Sequence, residues 1–423
     1  MTRPGIDPVR STLDNGIVVL AKQTRTTPAV TINIALKAGS ICDPPDAPGA
    51  TYLLSKLIDR GTERRSADDI AEALDSRGIS LGVTVTRHLF SLICTCLADD
   101  FRDVMELLGE IVRAPSLPDA QLTTRKGEVI TMLRQDEDNP GVRATESLME
   151  LLYPPPHPYG RRSKGTIKIV EGLTRAGLAA LHAERFAPGE MTLVTVGDVD
   201  TNESQALVER VFGDWRVPAP TELPVSPLVP TGTRRRVDIP MMNKAQADIA
   251  YGFTTLTRSD ADYYACWLMN HAFGQYSMSG RLGDSIRERQ GMAYYAYSAL
   301  DASLMEGPLL IRAGVSASNI DRAVASIDDE IRKLTTEGLT QKELDDSRRF
   351  LIYAMPRALE TNAGIANYLQ TEEFFGLGLD YDVRLPDLLR GVTLEQANAV
   401  ARKFLSVDRA TVVIAGPYST PSV

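Results

Sequence analysis

The sequence predicts an α+β protein in which one domain is written twice, each copy a mostly antiparallel sheet with helices largely on one face. Two observations carry that expectation. Segments of the first half recur in the same order in the second half at a nearly constant separation. Within each half, stretches with the twofold alternation of strands are interspersed with stretches of helical periodicity. A chain of 423 residues is also too long for one ordinary core, and comfortable for two domains of about 200 residues each.

The elements follow in chain order. Leu13-Asp-Asn-Gly16 reads as a turn leading into a strand, Ile17–Leu20. Val30-Thr-Ile-Asn-Ile-Ala-Leu-Lys37 alternates, with Val30, Ile32, Ile34 and Leu36 on one face, and reads as a half-buried strand. Ala50, Leu53, Leu54, Leu57 and Ile58 fall at the spacing of one apolar helix face. Ser66, followed by Asp68 and Asp69, reads as a cap with acids in the first turn of a helix running through Ala73 and Leu74. In the apolar run Leu92–Leu97 a strand points Cys94 and Cys96 to one face. A metal needs more ligands than that pair, and no His or Cys stands at helpful spacing, so these read as buried free thiols. Four cysteines make no disulfide scaffold at this length.

The repeats then appear. Ser116-Leu-Pro-Asp-Ala-Gln-Leu122 before one long helix is echoed by Gly338-Leu-Thr-Gln-Lys-Glu-Leu344 before another. Gly172-Leu-Thr174, opening a helix that ends near Arg185-Phe186, is echoed by Gly391-Val-Thr393 and Lys403-Phe404. Thr192-Leu-Val-Thr-Val-Gly197 is echoed by Thr411-Val-Val-Ile-Ala-Gly416. The paired threonines are 219 residues apart in the last two cases, and the paired phenylalanines 218. Between the halves, Val217–Pro230 holds five prolines and neither periodicity, which reads as a semi-rigid linker. The expected division is a domain over 1–216, a linker over 217–235 and a domain over 236–423.

Composition excludes some classes of function. The net charge of −9, with acids and bases mixed along the chain, argues against nucleic acid, whose binding needs concentrated Lys and Arg. Arg64-Arg65, Arg161-Arg162 and Arg234-Arg235-Arg236 are short, isolated clusters that read as solvated surface. No apolar run reaches the roughly 18 residues of a membrane helix. The first residues lack the apolar core of a secretory leader, so the cytoplasm is the expected location, or the periplasm if a leader has been trimmed away.

The segment Gly49-Ala-Thr-Tyr-Leu-Leu-Ser-Lys-Leu-Ile-Asp-Arg-Gly-Thr62 resembles the helix of the pitrilysin/insulinase-type zinc peptidases, which carries His-x-x-Glu-His followed two turns later by Gly-Thr. In that family the two histidines hold zinc, the Glu activates the metal-bound water and a downstream Glu completes the site. On this frame the first His becomes Tyr52, the Glu becomes Ser55 and the second His becomes Lys56. Counting back from Glu137-Asp-Asn-Pro140, which resembles the end of the family's downstream helix, the last ligand becomes Met132. The four histidines, at 88, 157, 182 and 271, are too scattered to rebuild the site. His157-Pro-Tyr-Gly160 matches a family loop and reads as turn architecture.

In the second half, Ser279-Gly-Arg-Leu-Gly-Asp-Ser-Ile-Arg-Glu-Arg-Gln-Gly-Met-Ala-Tyr294 is similar to the family segment whose Arg and Tyr, seven positions apart, hydrogen-bond the substrate backbone at the zinc-bound carbonyl. Here that pair is Arg287 and Tyr294, with Tyr295 an adjacent candidate on the opposite strand face. A guanidinium and a phenol are donors suited to a developing oxyanion.

The resemblance implies two domains like those of the mitochondrial processing peptidase, and the subunit that lacks the zinc motif while keeping the Arg/Tyr pair. It implies a heterodimer with a paralogous zinc-bearing subunit (or a homodimer in isolation), an unfolded peptide as substrate, zinc in the partner and no cofactor in this chain. A scaffold that holds peptides without chemistry is the alternative. An autonomous zinc peptidase fits the placing of the histidines poorly.

Overall fold

The structure, a computed structural model, describes residues 5–223, 228, 232–275 and 280–417. Its strands are β1 (Val9–Thr12), β2 (Val18–Gln23), β3 (Ala29–Leu36), β4 (Ser80–Val85), β5 (Phe90–Leu97), β6 (Met191–Gly197), β7 (Arg235–Pro240), β8 (Ala247–Thr254), β9 (Ala293–Leu300), β10 (Pro308–Val315) and β11 (Thr411–Gly416). The first-half helices are α1 (Ala50–Leu57), α2 (Ala67–Asp75), α3 (Phe101–Arg113), α4 (Asp119–Glu137), α5 (Pro140–Leu152), α6 (Ile167–Gly172), α7 (Arg175–Arg185) and α8 (Thr201–Phe212). The second half adds α9 (Tyr263–Asn270), α10 (Ile320–Thr336), α11 (Gln341–Ala358), α12 (Asn362–Phe375), α13 (Tyr381–Gly391) and α14 (Leu394–Phe404). Two π-helical stretches, His271–Gln275 and Gly283–Arg289, lie between α9 and β9.

The strands form one sheet in the order β1-β2-β6-β3-β5-β4 and another in the order β7-β11-β8-β10-β9. Without the extra hairpin strand β1, the two orders assign the same roles. β2 and β7 each run parallel to the last strand of their copy, β6 and β11. Those last strands pair antiparallel with β3 and β8, which pair antiparallel with β5 and β10, which hold the edge strands β4 and β9. The repeat in the sequence is thus a repeat of topology, and the sheets are mostly antiparallel. Both β6 and β11 end on a glycine at φ +151°. A Cβ would stand 2.2 Å from the Ala29 carbonyl oxygen at Gly197, and 2.5 Å from Ala247 Cα at Gly416. The glycine that closes each copy of the motif permits that backbone crossing.

The chain divides into two compact units that are discontinuous in sequence. One comprises Met1–Leu133, Arg162–Pro224 and Met355–Val383; the other comprises Arg134–Arg161, Val225–Ala354 and Arg384–Val423. They differ from the linear division at 217–235 by an exchange in each direction, and each exchange begins inside a long helix, α4 or α11. In the first unit, helices α1 to α4, α7 and α8 cover one face of the sheet, with Leu53, Leu54, Leu57, Ile70, Leu108, Val129 and Leu178 packed against Val19, Ile32 and Ile34. The exchanged helix α12 lies on the other face, where Ala366 and Leu369 meet Leu20, Val194 and Val196. Asn33 Nδ2 donates to Asn367 Oδ1 at 2.8 Å, and Asn362 Nδ2 to the Ala29 carbonyl at 3.0 Å. The half-buried strand expected over Val30–Lys37 is therefore corrected. Thr31 and Asn33, on its polar face, are as buried as its isoleucines, because a helix from far along the chain covers them.

The second unit repeats the device with α5. Gly252 of β8 leaves room for Leu148 and Leu152, each of which would come within 2.9 Å of a Cβ there. Arg235 Nη2 donates to the Leu151 carbonyl at 2.6 Å, and the Tyr153 hydroxyl to the Glu306 carbonyl at 3.0 Å.

Local expectations are met where a short-range signal dictated them. Gly16 closes the β1–β2 hairpin at φ +92°, and Ser66 forms a capping box with Asp69. Cys94 and Cys96 are buried free thiols, and burial pushes both up to about 12. Residues 217–223 carry neither helix nor strand, while Pro224, Pro227 and Pro230 lie outside the described residues. The reading of Arg234 and Arg235 as solvated surface is corrected. Arg234, just before β7, pairs with Asp328 of α10 at 3.0 Å, and Arg235, the first residue of β7, fastens α5, because that end of the strand borders packed helices. Among the described residues no helix is long and apolar enough to cross a membrane.

Candidate functional site

In the first unit the four positions read from the zinc-peptidase frame converge. α1 starts after Gly49, whose φ of +96° and missing Cβ let the Lys164–Gly165 backbone pass; a Cβ would stand 2.5 Å from the Lys164 carbonyl oxygen. Asp43 fixes this start by accepting from the Gly49 and Thr51 amides, each at 2.7 Å. The Tyr52 hydroxyl on α1 donates to Met132 Sδ on α4 at 3.7 Å. Ser55 Oγ donates back to the Tyr52 carbonyl at 2.7 Å. Lys56 Nζ stands 5.1 Å from the centre of the Tyr52 ring, and Lys164 Nζ 6.0 Å from it. Gly61-Thr62 closes the frame as a turn, bridging Ser66 and Pro115.

The donor set does not fit zinc. Zinc takes thiolate, neutral imidazole or carboxylate ligands. The groups here are a phenol, a hydroxyl that is itself a donor, an ammonium and a thioether. Each of the two ammonium groups beside the ring would repel a further unit positive charge by roughly 2–3 kcal/mol at 5–6 Å and an effective dielectric near 20–30. Ser55 offers no carboxylate to take a proton from water. His157, buried, accepts from the Tyr159 amide through Nδ1 at 3.1 Å and caps a short helical turn, so its motif is turn architecture.

In the second unit the described part of the Ser279–Tyr294 segment begins at Gly280, since Ser279 lies outside the described residues. It forms the π-helical stretch Gly283–Arg289, a turn and the start of β9. Gly291 ends the helix at φ +60°, its amide donating to the Arg287 carbonyl at 3.0 Å, while the Met292 amide donates to Ile286 at 3.1 Å. A left-handed glycine is the usual helix stop, because it carries no Cβ penalty. Arg287 and Tyr294 thus flank one tight turn. The Arg287 side chain is 40% exposed, with Glu288 Oε1 3.6 Å from its Nε. Tyr294 is 67% exposed, an unusual amount for an aromatic ring.

Tyr295, the next residue of β9, is half-buried. Its hydroxyl donates to Asp248, a buried carboxylate on β8. Burial, then this bond, push the Tyr295 phenol well above its ordinary value, so it stays a donor. Asp248, Arg312 and Gly314 were not singled out by the sequence reading. A signal for Asp248 existed: it is the one charged residue in the run Ala247-Asp-Ile-Ala-Tyr-Gly-Phe253, and a buried charge demands partners.

Comparisons with known proteins agree with this architecture. The sequence model of the insulinase family, peptidase M16, matches residues 18–154, and that of the peptidase M16 inactive domain matches residues 172–351. An uncharacterized zinc protease of Mycobacterium tuberculosis is 26% identical over 417 residues, covering 98% of this chain and 94% of its own. A protein named non-peptidase homolog YmxG, of Helicobacter pylori, is 20% identical over 399 residues, covering 94% of this chain and 91% of its own. The crystal structure of a peptidase M16 inactive domain from Pseudomonas fluorescens superposes with a TM-score of 0.89 at 27% identity, covering 98% of this chain and 99% of that one. The first match runs from β2 to α5 and the second from α7 into α11, so together they take in every strand except β1 and β11. The chain belongs to the insulinase-type M16 peptidase family.

Proposed function

We propose that this chain is the non-zinc-binding subunit of a two-subunit metallopeptidase, and that it supplies substrate-binding and transition-state-stabilising donors for the hydrolysis of unfolded peptides. The contrast between its two units carries the reading. At the family's metal positions stand Tyr52, Ser55, Lys56 and Met132, joined to one another and chemically unsuited to zinc. At the family's substrate positions stand Arg287, half-buried, and Tyr294, exposed, beside a tight turn.

Arg287 stays charged at every relevant pH and offers several N–H donors, and Tyr294 adds a neutral O–H. Together they hold a peptide carbonyl and stabilise the negative charge that develops on its oxygen, an interaction that strengthens as water is excluded. The zinc-bound water belongs to a paralogous subunit bearing His-x-x-Glu-His. Peptide backbone adds to an edge strand; β4 and β9 end their sheets and offer such edges. The relative named a non-peptidase homolog favours a second reading, a scaffold that holds peptides without chemistry.

The experiment is Arg287→Ala in the complex purified with that paralogue. Losing one oxyanion donor is expected to lower kcat/KM by about 100-fold or more. Unchanged turnover would select the scaffold.

A further inference from the structure

β9 departs from regular pairing at one place, and the residue there is Tyr294. β10 meets β9 through Gly314 opposite Tyr295 and then Val315 opposite Ala293, so Tyr294 has no partner across the ladder. An extra residue of this kind bends the strand and re-aims its side chain. Its neighbour Tyr295 sits in a socket. The Tyr295 ring lies against Gly314, where a Cβ would come to 2.6 Å of Cε1. Its hydroxyl donates to Asp248 Oδ1, which Arg312 Nη2 faces at 3.8 Å, while Gln246 Nε2 donates to the other carboxylate oxygen at 3.3 Å. A second glycine makes room for the arginine and the carboxylate. At Gly141, in the first turn of α5, a Cβ would stand 2.5 Å from Arg312 Nη2 and 3.0 Å from Asp248 Oδ1.

We infer that Tyr295, held by Asp248 and seated on Gly314, is the positioning residue that fixes the bulge and so aims Tyr294. The inference rests on the reading of Tyr294 as a substrate donor. A bulge is a choice of register by one residue, and a slip by one residue turns side chains to the other face of a sheet. With Tyr295 opposite Gly314, Ala293 rather than Tyr294 meets Val315. Freed of its anchor, Tyr295 no longer holds its place opposite Gly314, and a register without the bulge, with Ala293 still at Val315 and Tyr294 at Gly314, competes. The exposed ring then loses its fixed direction while the sheet persists.

The test uses the full chain labelled with 3-fluorotyrosine and read by 19F NMR, the Tyr294 line being assigned by its loss in Tyr294→Phe. In Tyr295→Phe the Tyr294 line is expected to shift or split. In Asp248→Asn, which keeps an acceptor for the phenol, it is expected to move less. A Tyr294 line unmoved in Tyr295→Phe overturns the inference. If Tyr295→Phe does not fold, Gly314→Ala displaces the ring while keeping its hydroxyl, and an unmoved line there overturns it equally. Anisotropy of a fluorescein-labelled unstructured peptide reads the functional consequence. Tyr294→Phe and Tyr295→Phe are each expected to weaken binding by about two- to tenfold, the range for one neutral hydrogen bond. The double variant is expected to lose no more than the larger single, as coupled neighbours do. Undiminished binding in Tyr294→Phe sinks the substrate role of Tyr294, while the NMR result still decides the positioning. Weakened binding in Tyr294→Phe alone, with the NMR line fixed in Tyr295→Phe, sinks the positioning and leaves the substrate role standing.

Discussion

His271 makes the stability of the second unit depend on pH in a calculable way. It opens the π-helical stretch His271–Gln275, is 1% exposed, and packs its ring 4.9 Å from that of Phe350. Burial disfavours the imidazolium and holds the group down at about 4, against an ordinary value of 6.5. Because the folded value is depressed, the unfolded chain takes up the proton first. Stability is intact above pH 6.5 and is lost as the pH falls from 6.5 toward 4. At pH 5 the loss is about 2 kcal/mol, and below pH 4 it approaches about 3 kcal/mol. The effect reaches the proposed site, since Gly274 of the same stretch lies under Ser298 of β9, where a Cβ would stand 2.5 Å from its Oγ. Urea unfolding of the wild type and of His271→Phe, at pH 7 and pH 5, isolates this group, because the carboxylates contribute alike to both. The wild type is expected to lose about 2 kcal/mol more than the variant between those pH values. An equal loss in the two proteins would refute the assignment.

Three further outcomes follow from the same geometry. Gly197→Ala places a Cβ against the Ala29 carbonyl at a φ that L residues avoid, so urea or thermal unfolding should show a loss of about 3 kcal/mol or more; an unchanged midpoint would contradict the crossing argument. Cys94, Cys96 and Cys266, all raised to about 12 by burial, should react with a disulfide reagent only after urea unfolds the chain, and rapid reaction in native buffer would count against their burial. Adding zinc to the isolated chain should leave its Tm where it was, whereas a rise of several degrees would mean that the cluster around Tyr52 binds the metal after all.

Much of this was legible in the sequence because it depends on short-range signals. The cap at Ser66, the hairpin at Gly16 and the apolar face of α1 are local, and each appears where its residues placed it. The convergence of Tyr52 with Met132, 80 residues apart, could be read only through the resemblance to a family frame. What was not legible was non-local. Periodicity identifies α12 as a helix but does not say which sheet it covers, so Asn33 looked solvent-facing until Asn367 was found beside it. The linear division at 217–235 and the exchange through α4 and α11 differ for the same reason. The bulge at Tyr294 was hidden because alternation distinguishes Tyr294 from Tyr295 without revealing which of them the ladder skips.

The measurement that bears most directly on the central claim is peptide hydrolysis by the complex of this chain with its zinc-bearing paralogue, set beside each chain alone and the complex carrying Arg287→Ala. The account predicts activity only in the complex, and a fall of about 100-fold in kcat/KM on substitution, with zinc content and subunit association unchanged. Full activity with Arg287→Ala, or hydrolysis by this chain alone with zinc of its own, would contradict it.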